Sequence, residues 1–142
     1  MLRTVVGIVA AMCLCGLLAA PAGARPKSHH VSLTFTAAAL PPGSANSAAG
    51  EIKGSLGPGA ILIKGGSTGT VTVYYARGRL DAKINATVIN NPDGSQAFSG
   101  QVRATGGTGT YADARGTLSL TGTTTGMGSL TGQVNGTLIY GK

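Results

Sequence analysis

Cysteine, tryptophan and acidic residues are all scarce in this chain. It has two cysteines, no tryptophan and four carboxylate side chains in 142 residues. Both cysteines, Cys13 and Cys15, fall near the N-terminus, in a stretch that reads as a secretory leader. Arg3 gives a short positive start, Val5 to Leu18 is an apolar run, and Ala22-Gly23-Ala24 is a small-x-small cleavage site. The run is shorter than the ~20 residues that a spanning helix needs, so no stable membrane anchor is expected. Leu14 directly precedes Cys15 where a lipobox would place a small residue. Cleavage near Ala24 divides the chain into a signal peptide, 1–24, and a single domain, 25–142. The domain is expected to be secreted, extracellular or periplasmic. Having no cysteine, it carries no disulfide, no thiolate nucleophile and no cysteine-bound metal. Its core and its sheet ladders must hold it together.

The four acids are Glu51, Asp81, Asp93 and Asp113, against eleven lysines and arginines, for a formal net charge of +7. Loss of Arg3 with the leader leaves +6. The basic residues are scattered singly. A dedicated nucleic-acid site wants a basic cluster with aromatics, so nucleic acid is not an expected partner. The charge implies only a weak attraction to anionic polymers or membranes. His29 and His30 are adjacent, and adjacent side chains on an extended segment point to opposite sides, so they make a poor metal pair. No Gly-x-Ser-x-Gly elbow is present, and the histidines are too isolated for a triad. The Gly-Thr-Gly repeats lack the lysine and the helix of a phosphate loop. No metal and no cofactor are expected.

Nor does any window show a sustained helical stripe. Nearly everything from Val31 onward alternates with period two between glycine-rich turns. Val31, Leu33 and Phe35 alternate with Ser32, Thr34 and Thr36, and Leu80, Ala82, Ile84, Ala86 and Val88 with Arg79, Asp81, Lys83, Asn85 and Thr87. Similar runs around Val102, Leu118 and Val134, with shorter ones at Gly50–Leu56, Ala60–Lys64 and Thr70–Ala76, bring the count to about eight strands. Arg25 to His30 reads as a polar lead and Ala38 to Ala49 as a loop. Asn91-Pro92-Asp93-Gly94 is a strong turn signal, and Gly57-Pro58-Gly59 a second. Eight antiparallel strands with one apolar face each are best satisfied by closure, which removes the sheet edges. The expected fold is all-β, a small antiparallel eight-stranded β-barrel, with a β-sandwich as the alternative.

One segment stands out, GGTGTYADARG at Gly106–Gly116. Thr108-Gly109-Thr110 is followed by Ala114-Arg115-Gly116-Thr117-Leu118. A looser echo lies upstream, where Thr68-Gly69-Thr70 is followed by Ala76-Arg77-Gly78-Arg79-Leu80. The glycines suit positive φ angles and close backbone approach. In Gly106, Gly107, Gly109, Tyr111, Ala114, Arg115 and Gly116 the chain resembles the allene oxide cyclase and dirigent barrels, over roughly Phe98 to Thr121. The resemblance implies an eight-stranded barrel, often a homotrimer, with an apolar cavity for a small hydrophobic molecule. Enzymes of that superfamily place carboxylates, asparagines or tyrosines inside the barrel, but none of those positions aligns onto this chain.

Two sets of residues are candidates for chemistry. If the apolar phase lines the interior, no general acid or base lies within. In the inverted phase Asp81, Asn85 and Gln101 would point inward, and Asp81, Asn85 and Glu51 are the catalytic candidates of that arrangement. The ligand-binding candidates are Tyr111, Asp113 and Arg115, which could gather at a barrel mouth, together with Tyr75, Phe98 and Tyr140. An Asp113–Arg115 pair would keep the carboxylate ionised and suit polar-group recognition better than proton transfer. The aromatics either fill the core or line a pocket, and in so small a barrel core filling is the default. Gly100, Gly132 and Gly136 fall at core-phase positions, where they leave a cavity or permit strand bends. The first expectation is a barrel that binds a small hydrophobic molecule in its lumen. A cyclase, isomerase or dirigent-type enzyme is the second, and a structural or cell-surface β protein, suggested by the Thr-Gly repeats of Thr117–Thr137, is the third.

Overall fold

A computed structural model of the protein describes residues 25–41, 46–125 and 128–141; the signal-peptide reading of 1–24 lies outside the described residues. Eight antiparallel strands close into one barrel in sequence order. They are β1 (Lys27–Ala39), β2 (Ala48–Gly54), β3 (Gly59–Lys64), β4 (Thr70–Tyr75), β5 (Gly78–Asn90), β6 (Gln96–Gly107), β7 (Gly116–Thr124) and β8 (Ser129–Tyr140). Two single 3₁₀ turns, Gly66–Thr68 and Gly109–Tyr111, are the only helical pieces among the described residues. The barrel replaces the sandwich alternative because β1 pairs with β8 as well as with β2. Lys27 to Ala38 pair with Tyr140 to Ser129 over twelve residues.

This closure also corrects two strand boundaries. The polar lead at Lys27–His30 belongs to β1, because β8 supplies its ladder partners Tyr140, Ile139, Leu138 and Thr137. Ala38 and Ala39 likewise extend β1, and Ala48 and Ala49 begin β2, pairing with each other across the hairpin. Backbone pairing carries these strands past the point where the side-chain alternation stops. In β6, Thr105 is an extra residue between the pairs Asp81–Gly106 and Ala82–Ala104, and its hydroxyl donates to the Asp81 carbonyl at 3.2 Å.

Every strand buries its apolar phase. Val31, Leu33 and Phe35 of β1, Leu80, Ala82 and Ile84 of β5, and Leu118 and Leu120 of β7 are buried, and apart from the tyrosines no polar or charged side chain is buried among the described residues. Charges therefore stay on the outer wall, where they keep their hydration. At Asn91-Pro92-Asp93-Gly94-Ser95, between β5 and β6, Asp93 Oδ1 accepts from the Ser95 backbone N–H at 2.9 Å and from the Ser95 hydroxyl at 2.6 Å. Those bonds hold the Asp93 carboxyl below its ordinary range.

The core-phase glycines are not voids. Phe35 of β1 is registered opposite Gly132 of β8, Gly132 opposite Gly122 of β7, and Gly122 opposite Phe98 of β6. The two rings lean over the two glycines and approach each other, with centroids 6.4 Å apart. A Cβ on Gly132 would lie 2.6 Å from the Phe35 ring and 2.9 Å from the Thr121 carbonyl oxygen. At Gly100 a Cβ would strike the Asn85 carbonyl, and at Gly136 the Leu118 side chain. Gly132→Ala is expected to cost about 1–3 kcal/mol, the usual range for overpacking, and to drive the Phe35 ring toward the lumen. A urea midpoint equal to that of the unsubstituted protein would show that the ring does not rest on this glycine.

Candidate functional site

The inner phase of all eight strands encloses a cavity of about 460 Å³. Its wall is aliphatic: Ile52, Ile61, Val71, Leu80, Val102 and Leu120 come from six different strands, with Phe35 and Phe98 beside them. The polar lining is confined to one end. There Asn46, Ser47, Ser67, Gln96 and Thr124 surround the ends of β1, β3, β5 and β7 and the starts of their partners. The cavity is thus an apolar chamber with a neutral polar rim.

The opposite end is closed by GGTGTYADARG. The segment leaves β6, crosses the barrel end and starts β7. Gly109 sits at φ 59, in the left-handed region, and a Cβ there would strike the Arg77 carbonyl. That contact marks where the segment docks on the β4–β5 turn. The Thr108 N–H donates to the Arg79 carbonyl at 2.8 Å, the Thr110 N–H to the Arg77 carbonyl at 3.1 Å, and the Arg79 N–H to the Thr108 hydroxyl at 3.0 Å. The motif and its upstream echo therefore touch each other. On the far side Arg115 exchanges two backbone hydrogen bonds with Ile139 of β8, at 3.0 and 2.8 Å. Anchored on both sides, the segment inserts Tyr111 into the barrel end, where it is buried.

Tyr111 meets two other rings there. Its centroid lies 5.5 Å from Tyr75 and 5.1 Å from Tyr140, both tilted, and His29 stacks on Tyr140 at 4.1 Å. Edge-tilted aromatic pairs of this kind add about 0.5–1.5 kcal/mol each beyond the area they bury. His30 is exposed on the other side of β1, so the adjacent histidines do point apart. Burial pushes the Tyr75 phenol far above the ordinary tyrosine range, with Tyr111 and Tyr140 adding to the effect. Burial and Tyr140 also raise Tyr111, against a smaller lowering by Arg77. The Tyr75 hydroxyl is buried with no hydrogen-bond partner.

The structure thus separates the candidates. Phe98 lines the cavity, whereas Tyr75, Tyr111 and Tyr140 do not line it and form the plug in the closed end of the barrel. Asp113 and Arg115 are exposed outside the plug, and neither lines the cavity. Glu51 and Asn85 are exposed on the outer wall. Asp81 is on that wall too, where its carboxylate pairs with Arg79 at 3.0 Å. None of these three reaches the lumen, because the apolar phase occupies it. The rim residues Asn46, Ser47, Ser67, Gln96 and Thr124 were not anticipated. They lie at strand ends or beyond them, where alternation gives no signal. Among the described residues no group of three His, Cys, Asp or Glu side chains could hold a metal ion. Comparison with known protein families, with curated proteins and with solved structures finds no match to this chain.

The plug is expected to make the barrel sensitive to alkali. Because folding raises the ionisation of Tyr75 and Tyr111 above the ~10 of free tyrosine, their contribution to stability is complete below that pH. It is lost as pH rises toward the folded values. The urea midpoint is expected to fall above about pH 10. Tyr75→Phe removes both a titrating group and an unpartnered buried hydroxyl. It is expected to gain about 1 kcal/mol at neutral pH and to make the alkaline fall shallower. A loss of stability in that variant would assign the hydroxyl a hydrogen bond.

Proposed function

We propose that the protein is a binding barrel that takes one small hydrophobic molecule into its lumen. The observation that carries this reading is the chamber of about 460 Å³ with an aliphatic and phenyl wall and a polar rim at one end. Its volume falls within the ~300–1,000 Å³ of small-molecule sites, and its chemistry matches theirs, apolar walls with a few placed polar groups. It is about three times the ~150 Å³ of an apolar cavity that accepts benzene. The resemblance of Gly106–Gly116 to the allene oxide cyclase and dirigent barrels supports the same reading.

Binding is favoured over catalysis by the character of the wall. An enzyme of the cyclase or isomerase kind needs at least two polar groups converging on the substrate. The wall offers no acid or base, and the neutral rim groups, amides and hydroxyls, suit orienting a polar end of the ligand.

The test fills the chamber. Ala82 and Ala104 face each other across β5 and β6 and both line the cavity. Ala104→Leu is expected to weaken binding of the fluorescent probe N-phenyl-1-naphthylamine by tenfold or more. In a hollow lumen the added methylenes find room, so the variant should stay within about 1 kcal/mol of the parent. A filled core would charge about 1–3 kcal/mol for the same change. Unchanged probe affinity, or no probe binding by the parent, would remove the proposal.

A further inference from the structure

Three of the basic residues scattered along the sequence come together on the outer wall. Lys83 of β5 stands directly opposite Arg103 of β6, and both are exposed on the outer wall. Like charges in directly opposed ladder positions work against the sheet. Arg115 joins them from the start of β7, placed by its backbone pairing with Ile139. The three line one groove of about 590 Å³, together with Asn85, Gln101 and Thr117, and no carboxylate is part of that lining. Asp81 lies on the same strand face as Lys83 but is turned to Arg79. Asp113 precedes Arg115 by two residues and lies outside the groove.

A row of uncharged side chains leads away from the groove. Asn85 is registered opposite Gln101, Gln101 opposite Ser119, Ser119 opposite Asn135, and Asn135 opposite Ser32. All five are exposed. At ~4.8 Å per strand the row runs roughly 19 Å around the wall. At its far end the Ser32 hydroxyl donates to Asn135 Oδ1 at 2.7 Å. A parallel row, Ser99, Thr121, Gln133 and Thr34, lies beside it.

The two features together select a ligand chemistry. Lysine and arginine take carboxylate or sulfate groups. Amides and hydroxyls both donate and accept, as sugar hydroxyls do. Neither the groove nor the rows contain an aromatic residue, so bases of a nucleic acid would find no stacking platform. We propose that this wall binds an acidic polysaccharide, with its anionic groups in the Lys83–Arg103–Arg115 groove and its hydroxyls along the Asn85-to-Ser32 row. The site is on the outside of the barrel and does not depend on the lumen.

Affinity electrophoresis of the full chain through gels containing polygalacturonate, dextran sulfate or neutral dextran tests this. Retardation by an acidic polymer, none by dextran, and weakening with salt are expected. The two acidic polymers distinguish carboxylate from sulfate. Lys83→Gln with Arg103→Gln should weaken retention tenfold or more. Lys27→Gln with Arg77→Gln, an equal loss of charge at positions that neither line the groove nor stand in either row, should change it less than twofold. Gln101→Ala with Asn135→Ala should weaken it several-fold. All are exposed positions, and thermal melts check that each variant is folded. Equal losses from the two charge pairs would reduce the effect to net charge and overturn the proposal. So would equal retention by polyglutamate or polythymidylate, or no retention by either acidic polysaccharide.

Discussion

The cost of taking a charge out of water sets the phase of the strands that carry lysine, arginine or acidic residues, and the ladders fix their uncharged neighbours β4, β7 and β8 in the same sense. A barrel of eight strands has little interior space, and an unpaired ion there forfeits several kcal/mol of hydration. With only four acids to pair with its lysines and arginines, this chain has no means of filling an interior with ion pairs. Leucine, isoleucine, valine and alanine therefore turn inward, and the lumen is apolar. The same constraint crowds the outside. Once Lys83 and Arg103 are both excluded from the interior, the ladder register brings them face to face.

Alternation within single strands was enough to read the fold class and to sort each strand into two phases, but it left open which phase lines the lumen. Leu80, Ala82 and Ile84 share one face as their spacing requires, their burial makes that face the inner one, and the Asn91–Gly94 turn lies where its residues place it. Properties that depend on register between distant strands were not legible. The rings of Phe35 and Phe98 fill the spaces over Gly132 and Gly122, and those residues meet only through three separate ladders. The strand character of Lys27–His30 depends on β8, more than a hundred residues away. The cation groove combines β5, β6 and the start of β7. In each case the local pattern is silent because the partner that decides the outcome is elsewhere in the chain.

The two ends of the barrel divide the work. At one end GGTGTYADARG and its upstream echo lock together through backbone hydrogen bonds, and Tyr111 seals the floor among Tyr75 and Tyr140. At the other end the cavity meets amides and hydroxyls. The glycine motif that attracts attention in the sequence is thus a stopper. Its tyrosine packs into the barrel end, and the polar residues that border the cavity are the inconspicuous ones at the far strand ends.

The seam between β1 and β8 has a kinetic consequence. Its contacts join the two ends of the domain, and the Ser32–Asn135 hydrogen bond alone spans 103 positions. Pairings of such long sequence separation slow folding, because loop-closure entropy is lost before the contacts form. Until β8 arrives, β1 offers one open edge and an alternating apolar face, the combination that invites pairing with another chain. A chain made from its N-terminus therefore carries this open edge until β8 has been made and pairs with it.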